Sequence, residues 1–174
     1  MPQEMDPRVI RTRQLIIDAF NTLIATKDFN QITIKEITER ATINRATFYA
    51  HFLDKYELLD IVLSEQIQAL MAENFSDYKT LDEATITHIF EAIIQVHETL
   101  HMHCRRGYNT FTQMIEHKAK EQLKLILLPL VANELQATLM SWALYGAYDE
   151  WDKKRDVEVV GYAKKIAVSL LKMV

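Results

Sequence analysis

The chain has 174 residues, 49% of them hydrophobic and 25% charged, with a formal net charge of −4, which suits one substantial core or a small head joined to a larger body. Three Gly and three Pro leave so little turn punctuation that the composition points to an all-α fold rather than strands and tight turns. The single cysteine, Cys104, offers no intramolecular disulfide or thiol-based zinc site, and neither a secretion signal nor a membrane span is expected, since the longest apolar run, Leu125 to Ala132, is eight residues and contains Pro129; a cytoplasmic setting is expected.

From Asp6 to Lys27, Val9, Ile10, Ile16, Ile17, Phe20, Leu23 and Ile24 recur at three- and four-residue spacing, which predicts an amphipathic helix with Pro7 in its first turn. Thr33 stands three residues before Glu36, a capping-box pattern that opens a short helix from Ile34 to Arg40. After Ala41-Thr42-Ile43, Asn44 is a good N-cap for another short helix, Arg45 to His51. Two short helices joined by a turn of three or four residues make a helix-turn-helix. Asp54 then caps a fourth helix, Tyr56 to Phe75, carrying Leu58, Leu59, Val62, Leu63, Ile67, Leu70 and Met71.

Beyond it, Asp82 opens a helix with Ile86, Ile89, Phe90, Ile93, Ile94, His97, Leu100 and His101, ending near Gly107. A segment from about Asn109 to Leu127 follows, Pro129 marks a boundary, Glu134 to Trp151 is a strongly apolar helix, and Asp156 is expected to cap a terminal helix through Leu171. The expected organisation is a three-helix head, residues 1–55, and a helical regulatory and dimerisation body, residues 56–174. The head carries 8 Lys/Arg against 7 Asp/Glu and the body 12 against 17, a weak asymmetry that would help aim the head at phosphates and that an ordinary solvated surface explains equally well.

Within residues 33–59, Thr33-x-x-x-Ile37, the run Ala41-Thr42-Ile43-Asn44-Arg45-Ala46-Thr47-Phe48-Tyr49-Ala50-His51-Phe52, and Asp54-Lys55-Tyr56-Glu57-Leu58-Leu59 resemble the tetracycline-repressor-like (TetR) family of bacterial transcription regulators. Three positions depart from the family pattern. Thr42 stands where Gly is usual in the turn, and a β-branched residue tolerates a left-handed backbone poorly. Thr38 replaces a customary Ala where the short helices touch, and Asp28 stands where Gly often ends the first helix.

The N-terminal end of the second helix of such a unit enters the major groove, where Asn44, Arg45 and Ala46 stand. Arg45 can grip a guanine through two hydrogen bonds or take a phosphate; the first reads sequence, the second only adds affinity. Thr47, Tyr49 and His51 have groups of the right length for the sugar-phosphate backbone, and the resemblance implies the same for Tyr49 and His51; either ring could instead simply cover the head's core. Lys55 lies in a first helical turn, where a cation is slightly disfavoured, and the resemblance implies phosphate binding for it. Thr33 is foremost a cap and could add a phosphate contact. Phe48 and Phe52 are expected core.

In the body, Leu135, Leu139, Trp142, Ala143 and Gly146 share one helix face, as do Val159, Ala163, Ile166, Leu170 and Leu171 on the last helix. The resemblance implies that these two helices pair with their copies into a homodimer matching a palindromic operator in double-stranded DNA; the other reading is that the faces bury one another within one chain. An apolar site for a small-molecule effector is expected among Phe75, Phe90, Ile94, His97, His101, Tyr108, Phe111, Met114, Trp142 and Tyr145, many of which will be ordinary core. His97 and His101, four apart, could reach one ligand, with His103, Cys104 and His117 nearby, but no ligand set has a known metal spacing, and no metal or cofactor is expected. Arg105 and Arg106 could pair with an anionic effector or lie in a solvated loop.

The sequence reading is therefore a ligand-responsive regulator, foremost a repressor that releases its operator when a small molecule binds; the alternative is an activator or co-regulator on the same scaffold. An enzyme is not expected, for want of a nucleophile with a matched base, a phosphate loop or a metal signature. A helical binding module that no longer touches DNA is the remaining alternative.

Overall fold

The structure, a computed structural model, describes residues 6–75, 78–103, 108–154 and 157–172, with the side chains of 72–75, 102–103 and 108–110 outside that description. Every regular element among the described residues is helical, and none of them is a strand. They divide into two compact units, Met1–Leu63 with Leu100–Phe111, and Ser64–Thr99 with Thr112–Val174. The division falls inside the fourth helix rather than at residue 55, and a second segment joins the head.

In the first unit, α1 (Pro7–Ile24) begins with Asp6 accepting the Arg8 N–H at 2.9 Å and buries Ile16, Ile17, Phe20 and Ile24. The helix stops three residues short of Lys27 because Asp28 caps a separate 3₁₀ turn, Phe29–Gln31, by accepting from the Asn30 N–H. The second helix, α2 (Ile34–Ala41), packs on α1 and on α3 (Arg45–Tyr49). Phe48 and Phe52 are buried as expected, together with Phe20, Phe29, Ile37 and Leu58. The third helix is shorter than expected, leaving His51 in the turn before Asp54, whose carboxylate caps α4 (Lys55–Phe75) by accepting from Tyr56 and Glu57 N–H at 2.8 and 2.9 Å.

The second unit holds the rest of α4, most of α5 (Glu83–His103) and α6 (Tyr108–Leu127), a 3₁₀ turn at Leu128–Leu130, then α7 (Glu134–Lys154) and α8 (Val159–Leu171). Asp82 caps α5 as expected, accepting the Thr85 N–H at 2.8 Å. The cap of α8 is Glu158, whose carboxylate accepts from Val160 and Gly161 N–H; Asp156, expected in that role, lies outside the described residues. The core of this unit takes Ile86, Ile89, Phe90 and Ile93 from α5, Ile115, Ala119 and Leu123 from α6, Leu144, Tyr148 and Trp151 from α7, and Ala163 and Ala167 from α8. Trp151 joins α7 to the start of α8 by donating its indole N–H to the Val157 carbonyl at 3.0 Å.

Candidate nucleic-acid interface

The turn between α2 and α3 is closed by two hydrogen bonds, Thr42 N–H to Glu39 O at 3.2 Å and Ile43 N–H to Thr38 O at 3.0 Å. This is the Schellman closure of a helix, and it demands a left-handed residue at the position Thr42 occupies. Thr42 accordingly has φ 56° and ψ 43°, the only positive φ among the described residues. The departure from Gly seen in the sequence thus leaves the turn geometry intact and places strain in one residue.

Asn44 then starts α3, its Oδ1 accepting both the Thr47 N–H at 2.8 Å and the Thr47 hydroxyl at 3.0 Å. This fixes the Asn44 carbonyl oxygen and the Thr47 hydroxyl in the cap, while the Asn44 NH₂ group remains as a pair of donors. Arg45 and Ala46 are exposed beside it, and among the described residues no hydrogen bond or ion pair engages the Arg45 guanidinium. Tyr49 is 49% exposed, its ring edge-on to Phe48 at 5.6 Å. His51 is half-buried, its ring tilted against Phe52 at 6.4 Å. Asn44, Arg45, Ala46 and Tyr49 therefore form one exposed face over a floor of buried phenylalanine.

Two expected phosphate contacts have other partners. Thr33 completes a reciprocal capping box: its Oγ1 accepts the Glu36 N–H at 3.2 Å, and its hydroxyl and N–H both donate to Glu36 Oε2 at 2.9 Å. The other Glu36 oxygen takes the Lys27 ammonium, and these interactions, Lys27 foremost and then Thr33, hold the Glu36 carboxyl down at about 2. A carboxylate thus already stands where a phosphate would approach the start of α2. Lys55 donates to three backbone carbonyls, Phe29 O at 2.9 Å, Asn30 O at 3.3 Å and Ile32 O at 2.8 Å, with its Nζ 4.6 Å from the centre of the Phe29 ring. Only the location of Lys55 in the first turn of α4 was legible in sequence; its three partners lie 23 to 26 residues away.

The residues expected at an effector site are dispersed. Phe90, Ile94, His97 and Tyr145 are buried in the second unit, whereas Phe111 is buried in the first, edge-on to Phe29 at 5.1 Å. Phe90 packs between Trp151 and Tyr162. His97 stacks on Tyr148 at 4.3 Å and its Nε2 lies 2.7 Å from the Tyr145 hydroxyl, a core histidine with its hydrogen bond made. Burial pushes its pKa down to about 4 against the opposing pull of Asp152 and Glu116, so the ring is neutral and shares one hydrogen bond with the Tyr145 hydroxyl. His101 is exposed and Met114 half-buried; Phe75, His103, Cys104, Arg105, Arg106 and Tyr108 lie outside the described side chains. Among the described residues no three His, Cys, Asp or Glu side chains stand together to hold a metal ion.

What the sequence reading missed is a groove of about 340 Å³ between α6 and α7, of whose walls only Trp142 was expected. Gln113, Glu116, His117, Lys120, Glu121 and Lys124 line one side, a helical stripe at three- and four-residue spacing. Its charges are paired, Lys120 with Glu116, Lys124 with Glu134 at 2.6 Å and His117 with Glu121 at 3.5 Å, and the Lys120 Nζ also lies 5.2 Å from the Trp142 ring centre and 5.1 Å from that of Tyr145.

On α7, Leu135, Leu139 and Trp142 are 67%, 61% and 63% exposed, beside exposed Ala143 and Gly146. On α8, Ala163 and Leu170 are buried within the protomer and Val159, Ile166 and Leu171 are half-buried, while Val160 and Val168 are exposed.

Residues 16–62 match the family model described as bacterial regulatory proteins, tetR family. This places the head in the TetR family. The chain is 44% identical over 62 residues to the HTH-type transcriptional regulator YxbF of Bacillus subtilis, a match covering 35% of this chain and 16% of that protein. It is 35% identical over 69 residues to the dhaKLM operon transcriptional activator DhaS of Lactococcus lactis, covering 40% of this chain and 36% of the relative. The matches thus span well under half the length of these relatives. Over whole chains, a TetR-family regulator from Streptomyces coelicolor has the same fold, with a TM-score of 0.67 at 14% identity over 98% of both chains. The structure of the dihydroxyacetone kinase operon activator DhaS gives 0.57 at 20% identity over 94% of this chain and 96% of that one. The TetR-type fold therefore extends beyond the head into the helical body. No described helix is long and apolar enough to cross a membrane.

Proposed function

We propose that this TetR-family chain is a homodimeric transcriptional regulator that binds double-stranded DNA through α3 and responds to a small molecule bound in its body. The observation that carries the proposal is the exposed α3 face, with an Arg45 guanidinium that no described residue engages beside Ala46 and Tyr49 on a turn held in the helix-turn-helix geometry. Arg45 reads a base edge, Ala46 is small enough to meet a thymine methyl, and Tyr49 and His51 contact the backbone. Two copies pair through the exposed apolar face of α7 with Val160 and Val168 of α8, which sets two heads on successive major grooves of a palindrome.

The α6–α7 groove, at about 340 Å³, is within the usual size of a small-ligand site, about 300–1,000 Å³. Its ion-paired walls suit a polar effector. Such a molecule acts by binding one head spacing better than another; a 1000-fold loss of DNA affinity needs roughly 4 kcal/mol of that difference.

Selection of bound sequences from random duplex DNA tests the reading. A palindromic consensus is expected, and no enrichment would sink it. With the operator in hand, Arg45→Ala is expected to cost about 1–3 kcal/mol of binding and to relax preference at one position per half-site. A uniform loss with a shallower salt dependence would move Arg45 to the phosphates instead.

Release of a repressed gene by the effector is the first reading. An activator is the second, favoured by the likeness to DhaS, which is named an activator and resembles this chain in sequence over 69 residues and in fold. A reporter driven by the selected operator, with and without this protein, separates the two by the sign of the change.

A further inference from the structure

Lys55 stands immediately after the helix-turn-helix, and the three carbonyls that its ammonium meets, those of Phe29, Asn30 and Ile32, stand immediately before it. A lysine ammonium has three protons and no acceptor capacity, so these bonds use every donor it has. The carbonyls belong to the 3₁₀ turn and its exit: Phe29 O also accepts the Ile32 N–H at 3.1 Å, and the carbonyls that follow lie at the end of the turn, where helical geometry no longer supplies a partner N–H. The Phe29 ring lies against the same ammonium, and the side chain is half-buried, so the site is closed on the protein side.

We infer that Lys55 is a positioning residue, a clasp joining the two ends of residues 32–55 and thereby setting the mutual placement of α2 and α3, rather than a contact to DNA phosphate. The inference rests on the DNA-binding reading above. It contrasts Lys55 with Arg45, a cation of the same head whose donors remain open to a ligand.

The clasp requires a tripod of protons converging on three oxygens, which a planar guanidinium cannot reproduce; a phosphate accepts arginine as readily as lysine. The test uses the full chain with Lys55→Arg and Lys55→Met, measuring anisotropy of the selected operator duplex over a range of salt. Both variants are expected to lose about tenfold in affinity while keeping the wild-type slope of log affinity against log salt, and arginine is expected not to rescue. A fully binding arginine variant, or a slope lowered by about 0.9 in the methionine variant, would make Lys55 a phosphate contact and overturn the inference. Wild-type affinity in both variants, with only thermal stability lowered, would overturn it as well. Should the variants fail to fold, the Lys55 ammonium protons of the wild-type chain decide: slow exchange with solvent without DNA and an unmoved Nζ resonance on adding it are expected, and fast exchange or a large shift would refute the clasp. Failure of the wild-type chain to bind any duplex overturns the DNA reading and this inference together, whereas rescue by arginine overturns this inference alone.

Discussion

Thr42 carries its side chain at φ 56°, where a Cβ branched at two heavy atoms crowds the following carbonyl. A non-glycine residue held there costs about 1–3 kcal/mol, part of which glycine would return as greater freedom of the unfolded chain. Thr42→Gly is therefore expected to stabilise the protein by about 1 kcal/mol, read as a higher denaturant midpoint at an unchanged slope; a lower midpoint would contradict the strain argument. The second residue with a measurable signature is His97. Its pKa is lowered from 6.5 in the unfolded chain to about 4 in the fold, so the unfolded state binds more protons between those values. Its contribution to stability is complete above pH 6.5 and is lost as pH falls towards 4. Denaturation curves from pH 7 to pH 4 should show this decline, and His97→Gln should flatten it; an unaltered decline in that variant would mean that other groups cause it.

At the scale of elements, the helix starts were the most legible part of the sequence. Thr33 with Glu36, Asn44, Asp54 and Asp82 all cap helices as their spacing indicates, because a cap is local: a side-chain oxygen meets an N–H two or three residues on. Thr33→Ala removes the hydroxyl that accepts the Glu36 N–H and donates to Glu36 Oε2, leaves the backbone N–H half of the exchange in place, and is expected to cost about 1 kcal/mol in thermal or chemical unfolding. Glu36 adds a pH dependence of its own. Its pKa is lowered from 4.5 to about 2, so its stabilisation is present above pH 4.5 and fades as pH falls through that interval; Glu36→Gln should remove this acid sensitivity. Helix ends were less legible. The stop of α1 at Ile24 and the shortness of α3 reflect competition with the next element, Asp28 drawing its neighbours into a 3₁₀ turn and Asp54 starting α4 at Lys55.

At the scale of the whole molecule, the exposed face of α7 is a large apolar area for a monomer to leave in water, which is the physical ground for the proposed pairing of two copies. Leu139→Glu would bring an unpaired charge into that contact. It is expected to leave the helical signal intact and to shift light-scattering mass from dimer to monomer; a wild-type chain that is monomeric throughout would remove this interface. The all-α class, the caps, the helix-turn-helix and its buried phenylalanines were determined by the sequence alone, because periodicity, capping and turn chemistry act between residues a few positions apart. The tertiary structure alone decided the partners of Lys55, the removal of His97 from any effector surface into a stack with Tyr148, and the opening of a groove along the α6 stripe. Each of these joins side chains to groups more than twenty residues away, and which groups meet at that distance depends on how the helices pack, not on the spacing within any one of them.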